Sequence, residues 1–494
     1  MSERTTATSE PPARCSTGVA GLDEVLDGGL LAGRSYLVRG PPGSGKSLLG
    51  LHFLRAGLEA DETVLYINLE ETADQIRENA AAFGFDLAGV EFLDVTPGAE
   101  VFTEEQTYTV FEPDEVEQAG LTEQIVGRVE AVDPDRVFLD PVTHLRYLSP
   151  DEYQFRKQVI GFMRFLAERE ATVMFTSQES ESAPDDDLQF LADGIVGLDQ
   201  GEYTRTLVVP KFRGSDRQAG RHAVRIDDEG MAVFPELVPG EHTTAFTTEA
   251  IPSGVEGLDE LLGGGIERGT ITVISGPTGV GKTTTAAQFM EAAASRGEHA
   301  VVYMFEESAA TFRHRSSALG MDVDGMIETG SLAIEEVEPL DLSAEEFASK
   351  VRTQVEAEAA SVVMIDGIAG YKLSLQGEED ALVRKLHALG RYLKNMGVTV
   401  ILVDEIDSVT GDFRATNEGI SYLADNIVFL RHVEAGGELR KTIGVLKKRV
   451  GDFERTLREF SLDSERGVTV GEPLTGMRGV LRGTPAFDDR GPSE

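Results

Sequence analysis

The chain has no tryptophan and one cysteine, Cys15. A single thiol excludes an internal disulfide framework and any multi-cysteine metal site, and it suits a reducing cytoplasm. No run of about 18 apolar residues occurs, which excludes an ordinary membrane-spanning helix. The opening residues, MSERTTATSEPPARCS, are polar and lack the apolar stretch of a secretory signal. Lysine is scarce as well, with 11 among the 45 basic residues of a 494-residue chain. Against these stand 86 Asp and Glu, giving a formal charge of −41. Such a charge repels nucleic acid and anionic membrane at long range. It is spread along the chain and combined with lysine depletion, which reads as adaptation to a very salty cytoplasm. There the Debye length falls to about 3 Å at 1 M salt and self-repulsion is screened. Apolar residues make up 41%, enough for real cores, so a mainly disordered chain is excluded.

What is present is a duplication. Residues 17–47, TGVAGLDEVLDGGLLAGRSYLVRGPPGSGKS, recur at 253–283 as SGVEGLDELLGGGIERGTITVISGPTGVGKT, a shift of 236. The same shift carries Glu70-Glu71 onto Glu306-Glu307, and Lys211 and Arg213 onto Lys447 and Arg449. One long period means two copies of a whole domain, not a solenoid of short repeats. The expected organisation is a flexible N-terminus (1–15), a first domain (16–238), a polar linker (239–250), a second domain (251–483) and a flexible tail (484–494). Each half alternates continuous Val/Ile/Leu strands with amphipathic helices: SYLVRG (35–40), TVLYINLEE (63–71), RVFLDP (136–141) and ATVMFTSQ (171–178) in the first half. TITVISG (270–276), HAVVYMFEE (299–307), SVVMIDG (361–367), VTVILVDE (398–405) and NIVFLRHV (426–433) follow in the second. The pattern predicts an α/β fold, each half a mostly parallel sheet flanked by helices. The segments at 204–212 and 441–449 predict additional, antiparallel strands.

Two segments fit G-x-x-x-x-G-K-[ST], each after a strand and opening a helix. They are Gly40 to Ser47, with Gly43, Ser44, Gly45 and Lys46, and Gly276 to Thr283, with Thr278, Gly279, Val280, Gly281 and Lys282. Glycines let backbone N–H groups converge on phosphate oxygens. Lys46 and Lys282 neutralise the β/γ-phosphates in this reading, and Ser47 and Thr283 offer a hydroxyl to Mg²⁺. Asp140 and Asp366 each close a buried strand, where a carboxylate is the expected ligand of Mg²⁺ or its water. The plainer alternative for both is a helix N-cap or turn aspartate. Glu70, Glu71, Glu306 and Glu307 end strands expected to lie beside the phosphate-loop strands, where a carboxylate can take a proton from an attacking hydroxyl or water. Which member of each pair faces the nucleotide does not follow from spacing. Lys211 with Arg213, and Lys447 with Arg449, are spaced i, i+2 on late strands, so each pair points one way. That suits a phosphate across an interface; a solvated edge strand is the other reading.

With these segments in hand, the chain resembles the KaiC family, double-domain members of the RecA-like P-loop ATPases, over residues 16–485. The resemblance rests on the two repeats quoted, LEET at 69–72, FEES at 305–308 and ISYLADNIVFL at 420–430. It implies tandem RecA-like P-loop domains, a hexameric double ring with ATP between neighbouring copies, and ATP hydrolysis in the first ring. In the family's clock members the second ring is an autokinase and autophosphatase. By position, Glu70 and Glu71 match the family's ATPase carboxylates and Glu306 its kinase base. Lys211, Arg213, Lys447 and Arg449 match residues that reach a neighbour's nucleotide. The family's adjacent Ser and Thr phosphoacceptors align with Ser421 and Tyr422, so Ser421 is the acceptor candidate and Thr416 a nearby alternative. GVLKKRVGDFE lacks the Arg-Gly step that KFRGSD keeps, and the tail after the second domain is short. A daily oscillator does not follow.

The function expected is an ATP- and Mg²⁺-using cytoplasmic ring, a homo-hexamer whose nucleotide or phosphorylation state is read by unidentified signalling proteins. A RecA-like DNA-binding filament is the alternative of a different class. The stretches after Asp140 and Asp366 carry acids rather than a basic, aromatic-interleaved loop, which argues against nucleic acid. A nucleotide-gated scaffold with negligible turnover is a third reading.

Overall fold

A computed structural model describes residues 12–95, 124–146, 149, 151–178, 185–201, 204–241, 248–338, 342–373, 379–406, 420–435, 437–463, 466–474, 477–478 and 486–487. The chain divides into two compact units, Met1–Glu236 and Leu237–Glu494.

Among the described residues the main sheet of the first unit has nine strands: β1 Ser35–Gly40, β2 Val64–Asn68, β3 Glu91–Asp94, β4 Arg136–Asp140, β5 Thr172–Gln178, β6 Gly194–Gln200, β7 Arg205–Phe212, β8 His222–Asp227 and β9 Gly230–Phe234. Their order across the sheet is β3-β2-β4-β5-β1-β6-β7-β8-β9. The strands from β3 to β6 in that order are parallel, and β7, β8 and β9 are added antiparallel. Its helices are α1 Ala20–Val25, α2 Lys46–Glu59, α3 Ala73–Ala82, α4 Glu152–Ala167 and α5 Asp186–Leu191.

The second unit repeats the plan with β10 Ile271–Gly276, β11 Ala300–Met304, β12 Leu332–Glu336, β13 Val362–Asp366, β14 Thr399–Glu405, β15 Asn426–Ala435, β16 Glu438–Lys448, β17 Arg458–Asp463 and β18 Gly467–Pro473. The order β12-β11-β13-β14-β10-β15-β16-β17-β18 is the same, shifted by nine strands. Its helices are α6 Glu256–Leu261, α7 Lys282–Ser295, α8 Ala309–Ala318, α9 Val323–Glu328, α10 Ala344–Glu356, α11 Ile368–Leu373 and α12 Glu379–Asn395. Leu237 packs against a core of this unit, and Asn395 Nδ2 donates to the Pro239 carbonyl at 2.6 Å.

Period-two alternation sends neighbouring residues of one strand into two cores. Val38, Tyr66 and Phe138 enter one, with α2. Leu37, Ile67 and Leu139 enter the other, with α4. Burial on both faces is why these strands read as continuous apolar runs. One expectation is corrected here. The strand that leads into Glu70 is not next to the phosphate-loop strand: β4 and β5 lie between β2 and β1, and β13 and β14 between β11 and β10. The glutamates also lie beyond the strand ends, because β2 stops at Asn68 and β11 at Met304.

Candidate functional site

Both phosphate loops turn into their helices through a glycine in the left-handed region, Gly45 at φ 101° and Gly281 at φ 113°. A side chain there is strained, and it would also collide: a Cβ on Gly45 would meet Met231 Cε at 2.7 Å, and one on Gly281 would meet Phe460 Cε1 at 2.9 Å. The loop is thus pressed against the antiparallel end of each sheet. Gly40 and Gly276 close β1 and β10, and Gly43, Thr278 and Gly279 are exposed at the loop tips. Ser44 Oγ is buried with no hydrogen-bond partner, and Val280 is fully buried.

Lys46 and Lys282 open α2 and α7, and each is 7% exposed. Lys46 Nζ donates to the carbonyls of Gly40 at 2.9 Å and Pro41 at 3.0 Å. Burial lowers its pKa, only partly opposed by the charges of Asp140 and Glu70. Lys282 Nζ donates to the Pro277 carbonyl at 3.1 Å and pairs with Glu405 Oε2 at 3.2 Å.

The strand-end aspartates are held differently. Asp140 accepts from Tyr66 Oη at 3.2 Å and from Thr176 Oγ1. The equivalents of those donors in the second unit are Val302, by the shift of 236, and Val403, by sheet register. Neither can donate. Asp366 accepts instead from Thr283 Oγ1 at 3.1 Å, which joins the end of β13 to the start of α7. With burial as the main cause, and Glu306 adding to it, its pKa is pushed up to about 6 against the opposing Thr283 bond. Ser47 is exposed on the first turn of α2.

The glutamate pairs sit where a helix begins. Thr72 caps α3 in a reciprocal box with Gln75, and Ser308 caps α8 by accepting from Thr311 N at 3.2 Å. Such caps fix the chain direction of the preceding residues. Glu70 accepts from Gln178 Nε2 at 3.1 Å, and Glu71 from Asn79 Nδ2 at 3.2 Å. In the second unit Glu307 pairs with Arg315 at 3.0 Å. Burial raises the pKa of Glu306, and the charge of Glu405 raises it further. Here Thr278, Gly279, Gly281, Lys282, Thr283, Glu306, Glu307 and Asp366 converge on one cleft of about 340 Å³, with Arg315 and Glu405 among its walls.

The late cations do not join that cleft. Lys211 Nζ donates to the carbonyls of Gln189 at 2.6 Å and Phe190 at 3.4 Å, and Arg213 faces Asp193 at 3.9 Å. Lys447 Nζ donates to Ser421 O at 2.9 Å and Ala424 O at 2.6 Å, and Arg449 pairs with Asp425 at 3.2 Å. The arrangement is the same in both units. Each arginine lies just past its strand rather than on it, since β7 ends at Phe212 and β16 at Lys448. Ser421 sits in the single turn Ile420–Tyr422. Thr416 lies outside the described residues.

Sequence reading missed four participants. Asn79 and Arg315 are linked by the same shift of 236 and were within its reach. Gln178 and Glu405 each pair in register with the last residue of the phosphate-loop strand, Gly40 or Gly276. They break the shift, but they end the strands predicted at 171–178 and 398–405. Among the described residues no helix is long and apolar enough to cross a membrane.

A family model described as ATPase: KaiC matches residues 15–238 and again 251–475. The chain is 27% identical over 488 residues to the circadian clock protein KaiC3 of Synechocystis sp., covering 96% of this chain and 95% of that protein. It is 28% identical over 488 residues to the circadian clock oscillator protein KaiC of Synechococcus elongatus, covering 96% and 92%.

Proposed function

The chain belongs to the KaiC family of ATPases, and we propose that it hydrolyses ATP in its first domain and transfers phosphoryl groups in its second, with Ser421 the acceptor. The observation that carries this reading is the second cleft, where Lys282, Thr283, Asp366 and a glutamate of raised proton affinity, Glu306, line one space. A nucleoside triphosphate needs that set: an ammonium for its phosphates, a hydroxyl and a carboxylate for its metal, and a carboxylate that takes a proton.

The Thr283–Asp366 pair fits Mg²⁺, since both groups offer oxygen at 3.1 Å from each other. In the first domain Ser47 and Asp140 are the corresponding groups. Mg²⁺ bound there would neutralise charge developing on the transferred phosphoryl. Lys46 and Lys282 hold the phosphates while backbone N–H groups of the loops orient them. Glu70, kept in place by Gln178, and Glu71, kept in place by Asn79, are the proton acceptors of the first cleft. Glu306, with Glu307 beside it, serves the second.

Ser421 is not among the described residues lining the cleft of its own domain. In a ring of copies, its phosphate would come from the cleft of an adjacent copy. The bonds that Lys211, Arg213, Lys447 and Arg449 make within their own chain leave the role of contacting a neighbour's phosphate to a homo-hexameric ring. Such a ring would sit in the cytoplasm, with signalling proteins as readers of its state. The charge of −41 supports a protein built for molar salt.

The test is incubation with γ-labelled ATP and Mg²⁺ in molar KCl, followed by mapping of labelled residues. Label on Ser421 that disappears in Lys282→Ala supports transfer. Phosphate release without protein label reduces the second domain to a hydrolase or a binding site.

A further inference from the structure

The two phosphate-loop sites differ by a matched exchange. At the end of the strand beside the phosphate-loop strand stands an amide in the first unit, Gln178, and a carboxylate in the second, Glu405. The amide turns to Glu70 at 3.1 Å. The carboxylate turns to the phosphate-loop lysine, with Lys282 Nζ 3.2 Å from Glu405 Oε2. Lys46 is engaged by the backbone carbonyls of Gly40 and Pro41, neutral acceptors that a phosphate displaces readily. Lys282 keeps the carbonyl of Pro277 and adds a full negative charge. Its side chain is 8% exposed, so the pair is weakly screened on the lysine side. Glu405 itself is 39% exposed and opens onto the same cleft as Glu306 and Asp366.

We infer that Glu405 is a built-in competitor for Lys282, which sets the affinity of the second cleft for a nucleoside triphosphate. The ammonium that must meet the β/γ-phosphates already holds an anion. Binding requires Lys282 to leave Glu405 or to share it, and the displaced carboxylate then faces the incoming phosphates. An amide at this position would impose neither cost. With Glu405 in place, the second cleft therefore takes up nucleotide more weakly than it would with an amide there. Glu405 acts here through Lys282, as a positioning residue. The inference rests on reading the second cleft as a nucleotide site.

The experiment uses the full chain carrying Lys46→Ala, so that one cleft reports, and measures equilibrium binding of a fluorescent ATP derivative with Mg²⁺ in molar KCl. Glu405→Gln is expected to lower the Kd about tenfold. Glu438→Gln removes one charge from an exposed position of the same domain outside the cleft, and is expected to change the Kd less than threefold. In a Lys282→Ala chain, Gln178→Glu is expected to weaken binding at the first cleft. Unfolding without nucleotide, followed for each variant, establishes that it is folded. Binding that is present but equal in Glu405→Gln and its parent, or improved no more than by Glu438→Gln, overturns the proposal and leaves the nucleotide site intact. Folded chains that bind nothing, with or without Glu405→Gln, overturn the reading of the cleft and the proposal together.

Discussion

Lys447 Nζ donates to the main-chain carbonyl of Ser421 at 2.9 Å. Through its second bond, to Ala424 O at 2.6 Å, it ties the turn that carries the serine to the residue two positions past it. Burial lowers the pKa of this lysine, and the nearby Arg449 lowers it further. In Lys447→Ala two carbonyls lose a charged donor, each bond contributing about 1.5–3 kcal/mol at most and less where water replaces it. Hydrogen exchange at the amides of residues 420–425 is expected to speed up at least fivefold, while that of β10 stays unchanged. Unaltered protection in the turn would show that Lys447 does not organise it.

Helix α2 lies against β4 through one close fit. A Cβ on Gly50 would come within 2.0 Å of Phe138 Cζ, with both flanking ring atoms nearly as close. The second unit solves the same contact with Ala286 on the helix, and its counterpart of Phe138 is Met364. Helix propensity favours alanine over glycine by about 1 kcal/mol. Overpacking of this kind costs about 1–3 kcal/mol, so the collision wins. Gly50→Ala is expected to lower the urea midpoint of the first unit, and the pair Gly50→Ala with Phe138→Met to restore most of it. A stabilised single variant would contradict the packing described.

This exchange also marks what sequence can and cannot carry. The duplicated loops, the strands and the aspartates that end β4 and β13 were all legible, because burial on two faces and a glycine-rich turn leave local signatures. The order of strands was not. Nothing within TVLYINLEE states that two other strands come between it and SYLVRG, since that depends on crossovers far along the chain. The partners of the glutamates were hidden for another reason. Gln178 and Glu405 lie at equivalent sheet positions but 227 residues apart, so a constant shift of 236 steps over them. That Lys211 and Lys447 are bonded to carbonyls of their own chain is revealed only by the turn geometry.

His52 gives the first unit a defined response to acid. It is 3% exposed, and its Nε2 accepts from Met231 N at 2.8 Å, an interaction only the neutral ring can make. Burial, with Arg55 adding to it, depresses its pKa to about 4. The unfolded chain protonates near 6.5, so between those values it binds the proton that the folded chain refuses. The contribution is fully present above pH about 6.5 and is lost as pH falls towards 4, at most about 3.4 kcal/mol for a shift of roughly 2.5 units. In His52→Gln the amide oxygen can still accept from Met231 and carries no titration. The stability difference between the two chains should shrink or reverse from pH 7 to 4. A constant difference across that range would mean that His52 does not titrate as described.

Gln178 tests whether Glu70 needs orienting as well as being present. The amide donates to Glu70 Oε2 at 3.1 Å from the end of β5, a rigid strand, whereas Glu70 itself lies on an exposed loop. An unsupported carboxylate samples rotamers that point away from the cleft, and proton transfer needs it within hydrogen-bond reach of the attacking water. In a Lys282→Ala chain, where the proposed hydrolysis is left to the first domain alone, Glu70→Gln is expected to lower kcat by about two orders of magnitude, within the range that positioned acid–base groups supply. Gln178→Ala is expected to lower kcat about tenfold with KM within a factor of two, because it changes how often the base is aligned and not how the phosphates are held. Gln178→Asn, with its shorter side chain, should fail to rescue. A rise in KM at constant kcat would instead assign Gln178 to nucleotide binding, and equal losses in both parameters would point to a general loss of structure, which the unfolding midpoint of the variant would show.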